Sequence, residues 1–217
     1  FGGGSEPGKS NIIDYITIAT TGDSTDFGDL TEDRDQVGGC SSFTRGMWMG
    51  GNKPASPYHW NTIDYVTIVT TGDAADFGDL TAETGQYCTA SNSVRAIGAG
   101  GATPSVVDTI EYLQMASLGN ATDFGDLTDS RINMGSTSSP TRGLFAAGDD
   151  PTKKDTIDYI TIASTGDAAD FGNLTAAQSG TSGCSSSTRG LFGGGYTPTY
   201  HANVEYVTMA STGNAID

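Results

Sequence analysis

Residues 138–175 read SSPTRGLFAAGDDPTKKDTIDYITIASTGDAADFGNLT, and versions of this stretch recur along the whole chain. The acid of its TIDY core falls at Asp14, Asp64, Glu111, Asp158 and Glu205, at spacings of 50, 47, 47 and 47 residues. Each copy holds several short β-type runs separated by turn signals. A fixed period in the high forties with such content is the signature of a radial β architecture. The reading is therefore a single all-β body over residues 1–217: a β-propeller of about five four-stranded blades, incomplete at both ends.

Each unit divides into four strand candidates. The first is a run of small residues, as in Gly39–Ser42 and Gly183–Ser186. A polar turn carrying Arg45, Arg95, Arg142 or Arg189 leads to the second, as in Met47–Gly51 and Leu144–Gly148. The third is rich in β-branched and aromatic residues: Ile12–Thr20, Ile63–Thr70, Ile110–Ala116, Ile157–Ala163 and Val204–Ala210. The fourth carries an aromatic at Phe27, Phe77, Phe124 or Phe171, inside a repeated Asp-Phe-Gly. The count is five second and third strands but four first and fourth strands, so the chain reads as starting and stopping inside blades.

The 31 glycines suit tight turns and closely approaching strands. A formal charge of −16 disfavours a nucleic-acid surface, which needs clustered Lys and Arg. No apolar run is long enough to cross a membrane as a helix. Cys40, Cys88 and Cys184 read as one repeated position, with Met134 filling it in the fourth unit. Equivalent positions point the same way from different blades, so they read as buried small hydrophobes rather than disulfide partners or metal ligands.

Chemistry is sparse. Asp23, Asp26 and Asp29, with Asp73, Asp76 and Asp79, present oxygens at three-residue intervals that suit Ca²⁺, but Asp beside Gly is also ordinary turn chemistry. Turn capping is the preferred reading, and no cofactor is expected. The four repeated arginines are expected to pair with repeated acids, the alternative being a ring that grips an anionic ligand. The Asp-Phe-Gly triplets lack the catalytic and nucleotide loops of a kinase. No catalytic constellation is present, and the chain reads as a non-enzyme.

The two loop sets of each unit behave differently. The turns STRG and TGDAADFG repeat almost unchanged, whereas the second-to-third and fourth-to-first loops diverge. Antiparallel order puts these divergent loops on one face. Tyr58, His59 and Trp60 in one loop and Tyr196, Tyr200 and His201 in another are the candidate ligand-binding residues, because aromatics beside polar groups on exposed loops serve recognition.

The glycine cluster Gly193-Gly194 followed by Tyr206, and Gly148, Tyr159 and Phe171 after Arg142, resembles a kelch-type propeller blade. Kelch blades carry Trp on the last strand where this chain has Phe27, Phe77, Phe124 and Phe171. The repeat wording, TRG-hydrophobic-F-x-GG followed by NTIDYVTI and TGDAADFGDLT, is also similar to repeats of bacteriophage tail-fibre and other virion proteins. That resemblance implies a virion or extracellular protein contacting a host-surface glycan or another virion protein. A purely architectural scaffold is the other expectation.

Overall fold

The computed structural model describes residues 1–5, 8–55 and 58–217; Ser56 and Pro57 of the first aromatic loop, and Glu6 and Pro7 of an earlier one, lie outside them. The described chain is all β, built as five small antiparallel sheets in sequence order. Sheet 1 holds β1 (Gly2–Ser5), β2 (Lys9–Tyr15) and β3 (Thr25–Arg34). Sheet 2 holds β4 (Gly38–Ser41), β5 (Arg45–Met49), β6 (Thr62–Thr67) and β7 (Ala75–Asp79). Sheet 3 holds β8 (Cys88–Ser91) and β9 (Arg95–Ala99). After a small hairpin of β10 (Ala102–Thr103) and β11 (Ser105–Val106), it is completed by β12 (Thr109–Gln114) and β13 (Thr122–Asp126). Sheet 4 holds β14 (Gly135–Ser138), β15 (Arg142–Ala146), β16 (Lys154–Thr161) and β17 (Ala169–Gln178). Sheet 5 holds β18 (Ser182–Ser185), β19 (Arg189–Gly193) and β22 (Val204–Thr208), with a second hairpin of β20 (Tyr196–Thr197) and β21 (Thr199–Tyr200).

The expected strand census holds: sheet 1 has no counterpart of the first strand, and sheet 5 has no full fourth strand among the described residues. At the far edge of sheet 5 only Ile216 bridges to Tyr206. The third strands stop two to five residues earlier than the sequence predicts, at Tyr15, Thr67, Gln114, Thr161 and Thr208. Two of the divergent second-to-third loops fold into small hairpins, which the sequence reading does not anticipate.

Every sheet uses its two faces differently. One face of sheet 2, with Met47, Met49, Ile63 and Phe77, packs on Ala96, Leu113 and Met115 of sheet 3. The same register recurs between sheets 3 and 4, where Ile97, Ile110 and Phe124 meet Phe145, Ile160 and Ile162. It recurs again between sheets 4 and 5, where Leu144, Ile157 and Phe171 meet Phe192, Val207 and Met209. Sheet 1 meets sheet 2 through Ile13, Phe27 and Leu30 against Val66 and Trp48. Within sheets 1 to 4 the repeated Tyr and Phe meet edge to face, with centroids 5.6–5.9 Å apart.

The first strands β4, β8, β14 and β18 lie side by side in that order. Hydroxyls stitch them together: Ser91 Oγ donates to the Ser41 carbonyl at 3.0 Å, Ser138 Oγ to Ser91 at 2.8 Å, and Ser185 Oγ to Ser138 at 2.6 Å. This is why the first strands are written in Gly, Ser and Thr. Only small side chains permit the approach, and a Cβ on Gly183 would lie 2.1 Å from the Ser136 carbonyl oxygen.

Candidate functional site

Many of the repeated acids and arginines hold neighbouring sheets together. Gly72 and Ala74, at the third-to-fourth turn of sheet 2, donate their N–H groups to the Phe27 and Asp29 carbonyls of sheet 1, both at 2.7 Å. Asp73 Oδ1 accepts the Asp29 N–H at 3.1 Å, and Asn120, Asp167 and Asn214 do the same at the next three interfaces. The caps are therefore not confined to their own turn as the sequence suggests: they reach across to the neighbouring sheet. Asp76 alone among these bonds locally, accepting from Gly78 N–H at 2.9 Å. Among the described residues no three His, Cys, Asp or Glu side chains converge as a metal-holding group.

Pairing of Arg45, Arg95, Arg142 and Arg189 with the repeated acids is not what the structure shows. Their guanidiniums lie over the Tyr65, Tyr112, Tyr159 and Tyr206 rings at 4.5–4.8 Å. Arg45, Arg95 and Arg142 also donate to the carbonyls of Met115, Ile162 and Met209 in the next sheet. A planar cation on an aromatic face needs no carboxylate, and the carbonyl takes its N–H groups.

The acids of the TIDY core in sheets 2 to 5 are instead satisfied from the preceding sheet. Thr31 donates from N and Oγ1 to Asp64, and Thr128 does the same to Asp158. Arg34 and Arg131, both fully buried, complete the two ion pairs. Burial pulls the Arg34 pKa below its ordinary value, and the Asp64 charge opposes that shift. Where the acid is the longer Glu111, Thr84 stands in place of the arginine, and Tyr87 Oη donates to the carboxylate at 2.8 Å. Sequence reasoning missed these buried pairs. The signal was present, because LTEDR and LTDSR precede the units with Asp, while LTAET and LTAAQ precede those with Glu.

The cysteines also need correction. Cys40 lies opposite Met47 and Cys184 opposite Leu191, but Cys88 lies opposite Ala99, two residues earlier in its strand. The position matching Cys40 is Ala90 in sheet 3 and Thr137 in sheet 4, and Met134 precedes β14. A shift of two keeps the face, so all three thiols still point toward the following sheet. Burial pushes the Cys40 thiol up to about 12 and Cys88 to about 11. Cys184 is exposed, because no sheet follows sheet 5 among the described residues. All three are free thiols.

What remains uncommitted is the divergent loop face, where loops of neighbouring sheets meet. Asn52 bridges Asp35 on one side and His59 on the other, Asp149 bridges Ile132 and Lys153, and Tyr196 bridges Ser179. A cleft there of about 540 Å³ is bounded by Asn11, Glu32 and Asp33 from sheet 1 and by Lys53, Ala55 and Trp60 from sheet 2. Lys53 Nζ sits 4.4 Å from the Trp60 ring centre and 3.1 Å from Glu83 Oε1. His59 Nδ1 lies 2.9 Å from Asn52 Oδ1, and partial burial lowers its pKa below 6.5. Tyr58 projects into solvent, while its carbonyl accepts from Lys53 N–H at 2.8 Å and closes the loop.

The other predicted residues form a separate cluster. Tyr196 and Tyr200 face each other across β20 and β21 with ring centres 5.2 Å apart, and Lys153 of the sheet 4 loop lies 4.7 Å from the Tyr196 ring. His201 Nε2 is 3.3 Å from the Thr197 carbonyl. The structure thus brings the six predicted residues together as two groups, in the sheet 2 and sheet 5 loops. To each it adds a lysine that the sequence did not single out, and to the first the carboxylates Glu32 and Asp33.

No helix among the described residues is long and apolar enough to cross a membrane. No protein-family model and no curated protein sequence matches this chain.

Proposed function

We propose that the chain is a segment of a β-propeller that recognises a glycan through its divergent loop face, as a non-enzymatic adhesin of virion or extracellular type. The propeller reading is supported by first strands that lie side by side and by four interfaces in one register. The recognition reading rests on one observation, the cleft of about 540 Å³ at Trp60. Its rim combines an indole, an ammonium, an amide and two carboxylates, the mixture of apolar surface and polar groups on which sugar hydroxyls are read. Asp64, Glu111, Asp158, Arg45, Arg95 and Arg142 take no part, because neighbouring sheets already occupy them.

A glycan array probed with the wild-type chain, Trp60→Ala and the double variant Glu32→Gln/Asp33→Asn tests the proposal. The expected result is saturable binding that falls at least about tenfold in both variants, a loss of about 1.4 kcal/mol, with unchanged thermal unfolding. An empty array, or equal binding by all three proteins, overturns the glycan reading and leaves the architectural scaffold.

A further inference from the structure

Asp64, Glu111, Asp158 and Glu205 are all buried between sheets, yet only the two aspartates meet an arginine. In those pairs the guanidinium also donates from Nη1 to two carbonyls of the acid's own sheet, Gly50 and Thr62 in one case and Ala147 and Thr156 in the other. At Glu111 the arginine position belongs to Thr84. The backbone shows the match: the Thr84, Arg131 and Gln178 carbonyls accept the N–H of Gly51, Gly101 and Gly148 at 2.9–3.0 Å. Threonine is too short to reach the acid as a guanidinium does, and its hydroxyl donates to the Ala82 carbonyl at 3.1 Å. A cavity of about 50 Å³ lies there instead, bounded by Thr84, Tyr87, Gly100, Thr109 and Glu111. At Glu205 the longer Gln178 takes the position, and Asn203 Nδ2 donates to the carboxylate at 2.6 Å.

Glu111 has neutral donors only, Thr81 N–H at 2.7 Å and Tyr87 Oη at 2.8 Å. Burial pushes the Tyr87 pKa well above its ordinary value and the Glu111 charge adds to the shift, so the phenol keeps its proton. The ion pairs among the described residues do not include Glu111. A buried carboxylate without a counter-charge is costly, and neutral donors offset that cost only in part.

We propose that this cavity is a site for a small monovalent cation, held by the Glu111 carboxylate and the Gly100 and Thr109 carbonyls where two other interfaces hold a guanidinium. Gly100 and Thr109 stand in the register of Gly50 and Thr62, the carbonyls that receive Arg34. A water molecule needs roughly 10–15 Å³ of such space, so the cavity admits guanidinium, ammonium or potassium and excludes a sugar. Thr81 and Ala82 on its wall are exposed, which gives the ion a way in. The acidic chain draws cations toward it.

Thermal unfolding of the whole chain in tetramethylammonium buffer, with guanidinium, ammonium or potassium chloride added at about 1–20 mM, tests the site. At least one of the three is expected to raise the Tm saturably, and titration calorimetry with that ion to give one site per chain. Extra tetramethylammonium, too large for the cavity, is expected to have no such effect. Glu111→Gln removes the charge, and Thr84→Arg/Glu111→Asp rebuilds the pair of the other interfaces; both are expected to lose the saturable rise. A Tm indifferent to all three cations overturns the proposal. So does an equal response to tetramethylammonium, a stoichiometry well above one, or a saturable rise that persists in either variant.

Discussion

Arg34 Nη2 lies 2.5 Å from Asp64 Oδ2 with both side chains fully buried, and this pair fastens the end of β3 in sheet 1 to the middle of sheet 2. Arg34 Nη1 donates to the Gly50 and Thr62 carbonyls, at 3.0 and 2.9 Å. Removing the arginine alone strands a carboxylate without water, so Arg34→Ala is expected to cost about 3–5 kcal/mol. Replacing both partners, as Arg34→Met/Asp64→Leu, is expected to recover a large part of that loss. Chemical denaturation of the three proteins checks it.

The glycine of each Asp-Phe-Gly allows the next sheet's turn to lie against the fourth strand. Gly125 has φ +147°, and a Cβ there would sit 2.5–2.6 Å from the Gly166 carbonyl. Gly125→Ala is therefore expected to destabilise the protein by about 2–4 kcal/mol through backbone strain and lost cross-sheet bonds. Thermal unfolding compares it with Gly180→Ala, where a Cβ meets nothing within 4 Å although φ is +69°. An equal cost at the two sites would show that close approach plays no part.

Arg142 and Arg189 occupy one repeated position with different surroundings. The first stacks on Tyr159 and bonds the next sheet; the second stacks on Tyr206 alone. Arg142→Ala is expected to lose about 1–3 kcal/mol, and Arg189→Ala less than about 1 kcal/mol. Equilibrium unfolding of dilute protein separates the two.

His59 gives the loop face a pH dependence. Its folded-state pKa lies below 6.5, through burial first and the Lys53 and Lys9 charges after it, with Glu83 opposing. As the pH falls below 6.5 the unfolded chain takes up the proton before the folded one does. The stability due to neutral His59 is whole above 6.5 and declines below it. The Tm advantage of wild type over His59→Gln is expected to shrink between about pH 7.5 and about pH 5, as followed by calorimetry. A constant or growing advantage contradicts the assignment.

The sequence made the sheets legible because each strand type is written in its own residues: small for the first, β-branched with Tyr for the third, Asp-Phe-Gly for the fourth. It also located the divergent face, since the loops bounding the Trp60 cleft are the ones that vary. It misplaced Cys88 because 12 residues separate Gly51 from Asp64 where nine separate Gly101 from Glu111. That longer loop shifts the count between units. It could not assign partners to Arg45 or Asp73, because both act on backbone atoms of the neighbouring sheet, which leave no trace in residue identity. Lys53 and Lys153 were missed because only folding brings them over Trp60 and Tyr196.

The account turns on directional stacking, in which each sheet covers the forward face of the one before it. Cys40 and Cys184 occupy the same position, opposite Met47 and Leu191, and differ only in whether a sheet follows. Thiol labelling of dilute native protein, resolved by peptide mapping, measures this directly. The expected result is rapid modification of Cys184, with Cys40 and Cys88 reacting only on unfolding. Equal protection of Cys184 and Cys40, or rapid labelling of Cys40, would contradict it.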